Sequence, residues 1–392
     1  MRILHVTPHL PPDQAANALL PAHLGAWARD RGDEPSFLAH TPRAASGLPA
    51  PDATSLPGRV TWVSPYRPSG AWDRALKVST LSAALRIVRA AGPAIAGSDL
   101  VHVHSNGLLA ELCALLASAR RKPYVLTLYG TEIWHYRPKR MPPDLFTRAY
   151  RHAAVVTFYS HGLRDRAIEL GLDRAELTVI YPPVAPEFQW QGEEGRAAAR
   201  AGLGIRSTHL LVNVKRLHPL AGQRFLIEAM ADVVRTVPDS HLVICGTGPL
   251  RDELQSLARD LGVDGHVTFA GLVDNVKVAR FDAAADLFAL PSLLEACPTV
   301  AIEALACGTP VVSTDNPGGV ELARLFGPDL SVVPRENRRA LADGIIERLR
   351  APRRAGPATR AIIEREFGPQ AVADRYYQAY RRALETAETR IG

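Results

Sequence analysis

Short runs of β-branched and aliphatic residues recur along the chain, each followed by a longer helical segment. RILHVT, SFLAH, LVHVHS, YVLTLYG, AVVTFYS and LTVIYPP form one set, and LLVNVKR, HLVICG, VTFAGL, DLFALPS, PVVSTD and LSVVP a second. Runs that are apolar at successive positions, rather than at alternate ones, read as strands covered on both faces, which is the condition of a parallel sheet. Because the set occurs twice, the pattern predicts an α/β protein of two doubly wound, Rossmann-like domains facing across a cleft. Ligands of such sheets bind beyond the carboxyl ends of the strands.

A polar stretch, QWQGEEGRAAARAGLGIRSTH, separates the two sets and reads as a linker near 186–207. The expected organisation is a first domain over 1–190, a second over 207–368, and a C-terminal helix over 369–392. Ala371, Tyr376, Tyr377 and Tyr380 are spaced like one helix face that crosses back onto the first domain. Ala44–Gly70, rich in Pro, Gly and Ser, reads as a long loop interrupted by the strand-like RVTWVSPY.

Composition narrows the function classes. At 392 residues, 47% apolar and 22% charged, the chain can fill two cores, and a disordered or collagen-like protein is excluded. The net charge of +6 arises from 46 basic residues interleaved with 40 acidic ones, which argues against a nucleic-acid binder and suits an enzyme of phosphorylated ligands. Cys113, Cys245, Cys297 and Cys307 lie far apart, without metal-ligand or redox spacing, so reduced thiols and a cytoplasmic location are expected. MRILHVTPHLPPD reaches three prolines and an aspartate before a signal-peptide core could form, and no membrane span is expected.

The segment richest in chemistry is LPSLLEACPTVAIEALACGTPVVSTDNPGG. Glu295 at the start of a helix and Glu303 two turns on would lie on one face, with the amides of Ala296 to Val300 forming a helix N-terminus toward a ligand. Carboxylates in that setting accept hydrogen bonds from vicinal hydroxyls of a sugar or ribose. In NVKRLHPLAGQ, Arg216 follows a strand and offers a cation where a leaving diphosphate would develop charge. No Asp-x-Asp and no His-x-x-x-His pair beside a glutamate occurs, so no metal or other cofactor is expected.

Taken in order, NVKRLHPLAGQRFLIEAM, HLVICGTGPLRDEL and the Glu-x7-Glu helix followed by ACGTPVVST resemble a retaining glycosyltransferase of family 4 with the GT-B fold. The resemblance covers the second domain and implies a hexosyltransferase using a UDP-sugar as co-substrate. Arg216 and Glu295 would be catalytic, Glu295 touching the donor sugar and Glu303 the ribose. Lys215, Cys297, Pro298, Thr299, Gly271 and Leu272 would complete the donor site. Ala221 stands where the family has a lysine, and Lys215 or Arg224 are the alternatives for its charge. On the first domain, SDLVHVHSNG and VLTLYGTEIWHYRPKR match the family less regularly. Tyr129 stands where a histidine is common, and Ala15, Ala16 and Asn17 where a Gly-Gly is usual. Asp13, His104, Tyr129 and Glu132 would be the acceptor-side residues.

TPHLPPDQAANALLPAHLG, LYGTEIWHYRPK and KRLHPLAGQRFLIEAM also resemble aminoglycoside antibiotic glycosyltransferases, including the kanosaminyltransferases of kanamycin biosynthesis. That resemblance implies a pseudodisaccharide acceptor of paromamine or neamine type, with Asp13, Glu111 and Glu132 as candidate counter-charges. Three alternatives stay open. One is a transferase of lipid-linked or cell-envelope polysaccharide assembly, docking through WHYRPKRMPPDLF. The others are a sugar-nucleotide epimerase and a degenerate nucleotide-sugar binder.

Overall fold

In a computed structural model, described here for residues 1–11, 13, 16–41, 56–65, 78–137, 144–174 and 176–389, the chain divides into two compact units. The first comprises Met1–Tyr181 with Val372–Gly392, the second Pro182–Ala371.

Seven strands form the first sheet: β1 (Arg2–Thr7), β2 (Glu34–His40), β3 (Arg59–Val63), β4 (Leu100–His104), β5 (Tyr124–Leu128), β6 (Val155–Phe158) and β7 (Leu177–Val179). All pair in parallel, in the order β3-β2-β1-β4-β5-β6-β7. Every residue of β4, β5 and β6 is buried, which is why those runs carry no polar alternation. The second sheet holds β8 (His209–Val214), β9 (Ser240–Cys245), β10 (Val267–Gly271), β11 (Leu287–Leu290), β12 (Val311–Thr314) and β13 (Leu330–Val333). These are again parallel, in the order β10-β9-β8-β11-β12-β13. The doubly wound α/β architecture read from the repeated runs is therefore the one observed. In each sheet the order reverses once, between β1 and β4 and between β8 and β11. At such a switch point the flanking loops diverge and leave a crevice at the carboxyl ends of the strands.

The stretch read as a linker holds a helix, Gly192–Leu203, inside the second unit. Its sequence has the required signals: Glu193 and Glu194 in the first turn, an alanine-rich body, and Gly204 at φ 67° closing the end. Arg196 and Arg200 both bind Asp286, a carboxylate only 7% exposed, and so tie the helix to the edge of β11.

The C-terminal helix spans Pro369–Thr389 and from Val372 belongs to the first unit. There Tyr377 donates to Asp33, 2.5 Å away, and Arg31 pairs with Asp374. Residues 42–55, 66–77 and 138–143, which include most of the Ala44–Gly70 loop and the centre of WHYRPKRMPPDLF, lie outside the described residues, as does Ala15. Among the described residues no helix is long and apolar enough to cross a membrane.

Candidate functional site

At the switch point of the second unit, the chain leaving β8 continues as Lys215, Arg216 and Leu217. The Lys215 amide donates to the Cys245 carbonyl at 3.0 Å and the Leu217 amide to Thr247 at 3.0 Å, so this segment stays extended beside the end of β9. The alternation of an extended chain buries Leu217 and exposes Arg216, whose guanidinium has no ion-pair partner among the described residues. Gly246 makes the approach possible: at φ 144° a Cβ there would lie 2.1 Å from the Lys215 carbonyl oxygen. The chain then closes one turn, Pro219–Ala221, and the Leu293 amide donates to Leu220 at 2.8 Å. Gly222, at φ 68°, lies against the Pro291 carbonyl, where a Cβ would come within 2.0 Å. The loops after β8 and β11 are thereby held together by backbone.

Glu295 lies in the turn after β11. It does not begin a helix, because the helix runs Thr299–Ala306 behind the buried Pro298. The two-turn spacing therefore fails as the device that brings Glu295 and Glu303 together. Proline disfavours helical backbone in the residue before it, so the helix cannot extend back through Cys297. What places Glu295 is Lys215, whose Nζ sits 2.7 Å from Glu295 Oε1, with the side chains 29% and 12% exposed. The Glu295 carbonyl in turn accepts from the Gly318 amide at 3.0 Å.

Glu303 projects from the helix, half-buried. Burial pushes its carboxyl up to about 7, Lys215 opposes the shift and Glu187 adds to it. Cys297 and Thr299 are half-buried, and burial first, then Glu321 and Glu295, holds the Cys297 thiol well above the ordinary range. Gly271 ends β10 at φ 73°, its carbonyl accepting from the Gly246 amide at 2.7 Å, while Leu272 stands 70% exposed. Ala221 is 4% exposed, and Arg224 is committed to Glu228 at 3.0 Å.

Asp282 escaped the sequence reading. It is fully buried, neither carboxylate oxygen has a hydrogen-bond partner among the described residues, and burial followed by Glu303 raises it well above the carboxylate range. The one available signal was an acidic residue on the inward face of the apolar helix Asn275–Ala284.

The first unit treats its switch point differently. His5 of β1 and His102 of β4 are register partners, and His104 lies two residues on. All three are fully buried. His104 reaches Tyr129 at 2.8 Å through Nδ1 and His5 at 3.1 Å through Nε2. His102 reaches Tyr380 at 2.8 Å and Thr127 at 2.7 Å, and Thr127 continues to Thr157 at 2.7 Å. Burial lowers His5 to about 3 and takes His102 and His104 well below the ordinary range, so all three are neutral imidazoles. The three offer nitrogens within 4.8 Å of one another, a group that histidine spacing along the sequence did not reveal. A metal ion would have to displace the tyrosine and threonine hydrogen bonds, since among the described residues only His5 Nε2 of these nitrogens lacks a partner.

His104 is thus an internal residue of a network, with Tyr129 half-buried at its edge. Glu132, 6% exposed, is saturated from within: Oε1 accepts from Ser105 at 2.7 Å and Oε2 from the Gly130 amide at 2.8 Å. Asp13 pairs with His9 at 3.2 Å, and Glu111 accepts from the Gly107 amide at 3.2 Å.

The family described as glycosyl transferases group 1 matches residues 196–365, and glycosyltransferase family 4 matches 22–188. A GDP-mannose-dependent alpha-(1-6)-phosphatidylinositol monomannoside mannosyltransferase of Mycolicibacterium smegmatis is 33% identical over 260 residues, 64% of this chain and 67% of that one. The putative teichuronic acid biosynthesis glycosyltransferase TuaC of Bacillus subtilis is 32% identical over 311 residues, 76% and 70% of the two chains. Among solved structures, HepE of Anabaena in complex with UDP superposes with a TM-score of 0.76 at 22% identity, covering 97% of this chain and 100% of that one.

Proposed function

The chain belongs to the group 1, family 4-like glycosyltransferases and has their GT-B fold, and on that premise we propose that it is a retaining, metal-independent hexosyltransferase whose second unit binds a nucleoside diphosphate sugar. The observation that carries this reading is the set Lys215, Arg216 and Glu295 at the carboxyl ends of β8 and β11, with Glu303 on the helix that follows β11 and within electrostatic reach of Lys215. Arg216, exposed and without an ion pair among the described residues, is the cation for the leaving diphosphate, whose charge grows as the glycosidic bond breaks. A protein cation in that place supplies the stabilisation that other transferases draw from a metal, which is the physical basis for expecting none here. Glu295 meets the donor sugar and Glu303 the ribose hydroxyls. Gly271 and Leu272, with Cys297, Pro298 and Thr299, line the rest of the donor site.

UDP is the nucleotide expected from the sequence resemblance. GDP is the second reading, favoured by the GDP-mannose-dependent relative. For the acceptor we favour a neutral hydroxyl of a small molecule over the polycationic pseudodisaccharide. The carboxylates that would hold ammonium groups are already engaged, Glu132 by Ser105 and Gly130 and Asp13 by His9.

The experiment is a donor-by-acceptor screen on the full chain. UDP-glucose, UDP-N-acetylglucosamine and GDP-mannose would each be offered with inositol, malate, paromamine or a lipid-linked saccharide, with and without EDTA. Products would be read by mass spectrometry and their anomeric configuration by NMR. Transfer with retained configuration in EDTA is expected. Nucleotide release without a transferred sugar would point to an epimerase, and the absence of any turnover to a binding protein.

A further inference from the structure

A free carboxylate at the position of Glu295 would favour a donor sugar carrying an amine, because a charge-assisted hydrogen bond is about twice as strong as a neutral one. In this protein the carboxylate is not free. Its Oε1 is 2.7 Å from Lys215 Nζ, and at 12% side-chain exposure it has little water to draw on. The main chain of Lys215 is fixed, its amide to Cys245 at 3.0 Å and its carbonyl against Gly246, so the lysine stays within side-chain reach of Glu295. Arg216 follows directly and adds a second positive charge.

We propose that the Lys215–Glu295 ion pair is a specificity element that admits donor sugars presenting a neutral group and rejects those presenting an ammonium. The proposal rests on the reading of Glu295 as the carboxylate that meets the donor sugar. A sugar hydroxyl donates one hydrogen bond and accepts others, so it can bridge the pair, accepting from Lys215 Nζ while donating to Glu295. An acetamido group is neutral and can meet either end of the pair, its carbonyl accepting from the lysine or its N–H donating to the glutamate. An ammonium has no lone pair to offer Lys215. It also places a second cation against a carboxylate that already has one, a like-charge contact of the kind that excludes wrong partners. The donor class that fits is therefore a neutral or N-acylated hexose, and Lys215, at a position where the family often has glycine, sets that choice.

Competition between donors on the wild-type chain tests this: UDP-glucose against UDP-glucosamine and against UDP-3-amino-3-deoxyglucose, with GDP-mannose and its amino analogues if GDP is the nucleotide turned over. At pH 7 the neutral donor is expected to win by about tenfold or more in kcat/KM. The preference should shrink as pH rises through the pKa of the sugar amine, since a neutral amine can both accept and donate. Titration of Glu303 acts on both donors and cancels in the ratio. Lys215→Met should narrow the preference by about fivefold or more, and Lys215→Arg should keep it. Equal use of amino and neutral donors, or a preference unmoved by both pH and Lys215→Met, overturns the proposal while leaving the transferase reading intact. Failure of every donor removes that reading itself. If Lys215→Met is inactive, the pH dependence of the wild type decides alone.

Discussion

The two units repeat one fold and use its switch point in opposite ways. Between β1 and β4 the first unit buries three neutral imidazoles and satisfies all but one of their nitrogens with tyrosine, threonine and histidine partners. Between β8 and β11 the second unit leaves charged groups partly exposed: an ion pair, an arginine with no ion-pair partner among the described residues, and a carboxyl poised near neutrality. A saturated polar cluster contributes rigidity and offers a ligand little. An unsaturated one is completed by what binds. The same topology thus yields a sealed centre in one unit and a receptive one in the other.

The largest expected effect tests the sealed side. A histidine whose folded pKa is depressed contributes stability that is fully present above its unfolded pKa of about 6.5 and is lost as pH falls below it. Three such groups lie together, so stability should decline from about pH 6.5 downward with a slope approaching 4 kcal/mol per pH unit at most. Urea midpoints measured at pH 7.5, 6 and 5 check this, and His5→Phe should flatten the decline by about one proton. A midpoint indifferent to pH would show that the cluster is not held neutral by the fold.

On the receptive side, Arg216→Ala should lower kcat by about a hundredfold or more, roughly 3 kcal/mol, with thermal stability unchanged. Steady-state kinetics beside a melting curve separates the two. An activity within about threefold of wild type would remove Arg216 from the diphosphate. The smallest effect belongs to Glu303. With its carboxyl near 7, the ionised acceptor form gains over the acid as pH rises from 6 to 8. Nucleotide affinity by calorimetry should rise by less than about tenfold across that range and become flat in Glu303→Gln.

Legibility from sequence followed the range of the interactions. The strands were readable because burial on both faces writes itself as a local apolar run, and both sheets were recovered. Two differences from the expectation have local causes: Pro298 bars a helix from beginning at Glu295, and Glu193, Glu194 and Gly204 bound a helix within the polar stretch between the two sets of strands. The histidine network was out of reach. Its members are brought together across separations of 99 residues, His5 to His104, and 278 residues, His102 to Tyr380, and nothing near any one of them marks it as a partner. The same holds for Lys215 and Glu295, a contact that only the β8/β11 neighbourhood creates.

The C-terminal helix has a consequence for how the molecule is made. Tyr376 and Tyr380 reach the centre of the first unit from the last two dozen residues of the chain, yet the second unit is encoded without interruption between the two pieces of the first. During synthesis the second unit can complete itself as soon as it leaves the ribosome. The first, although its amino-terminal strands emerge earliest, must wait with His102 uncapped until the helix Pro369–Thr389 has been made, which inverts the usual order in which amino-terminal domains mature first.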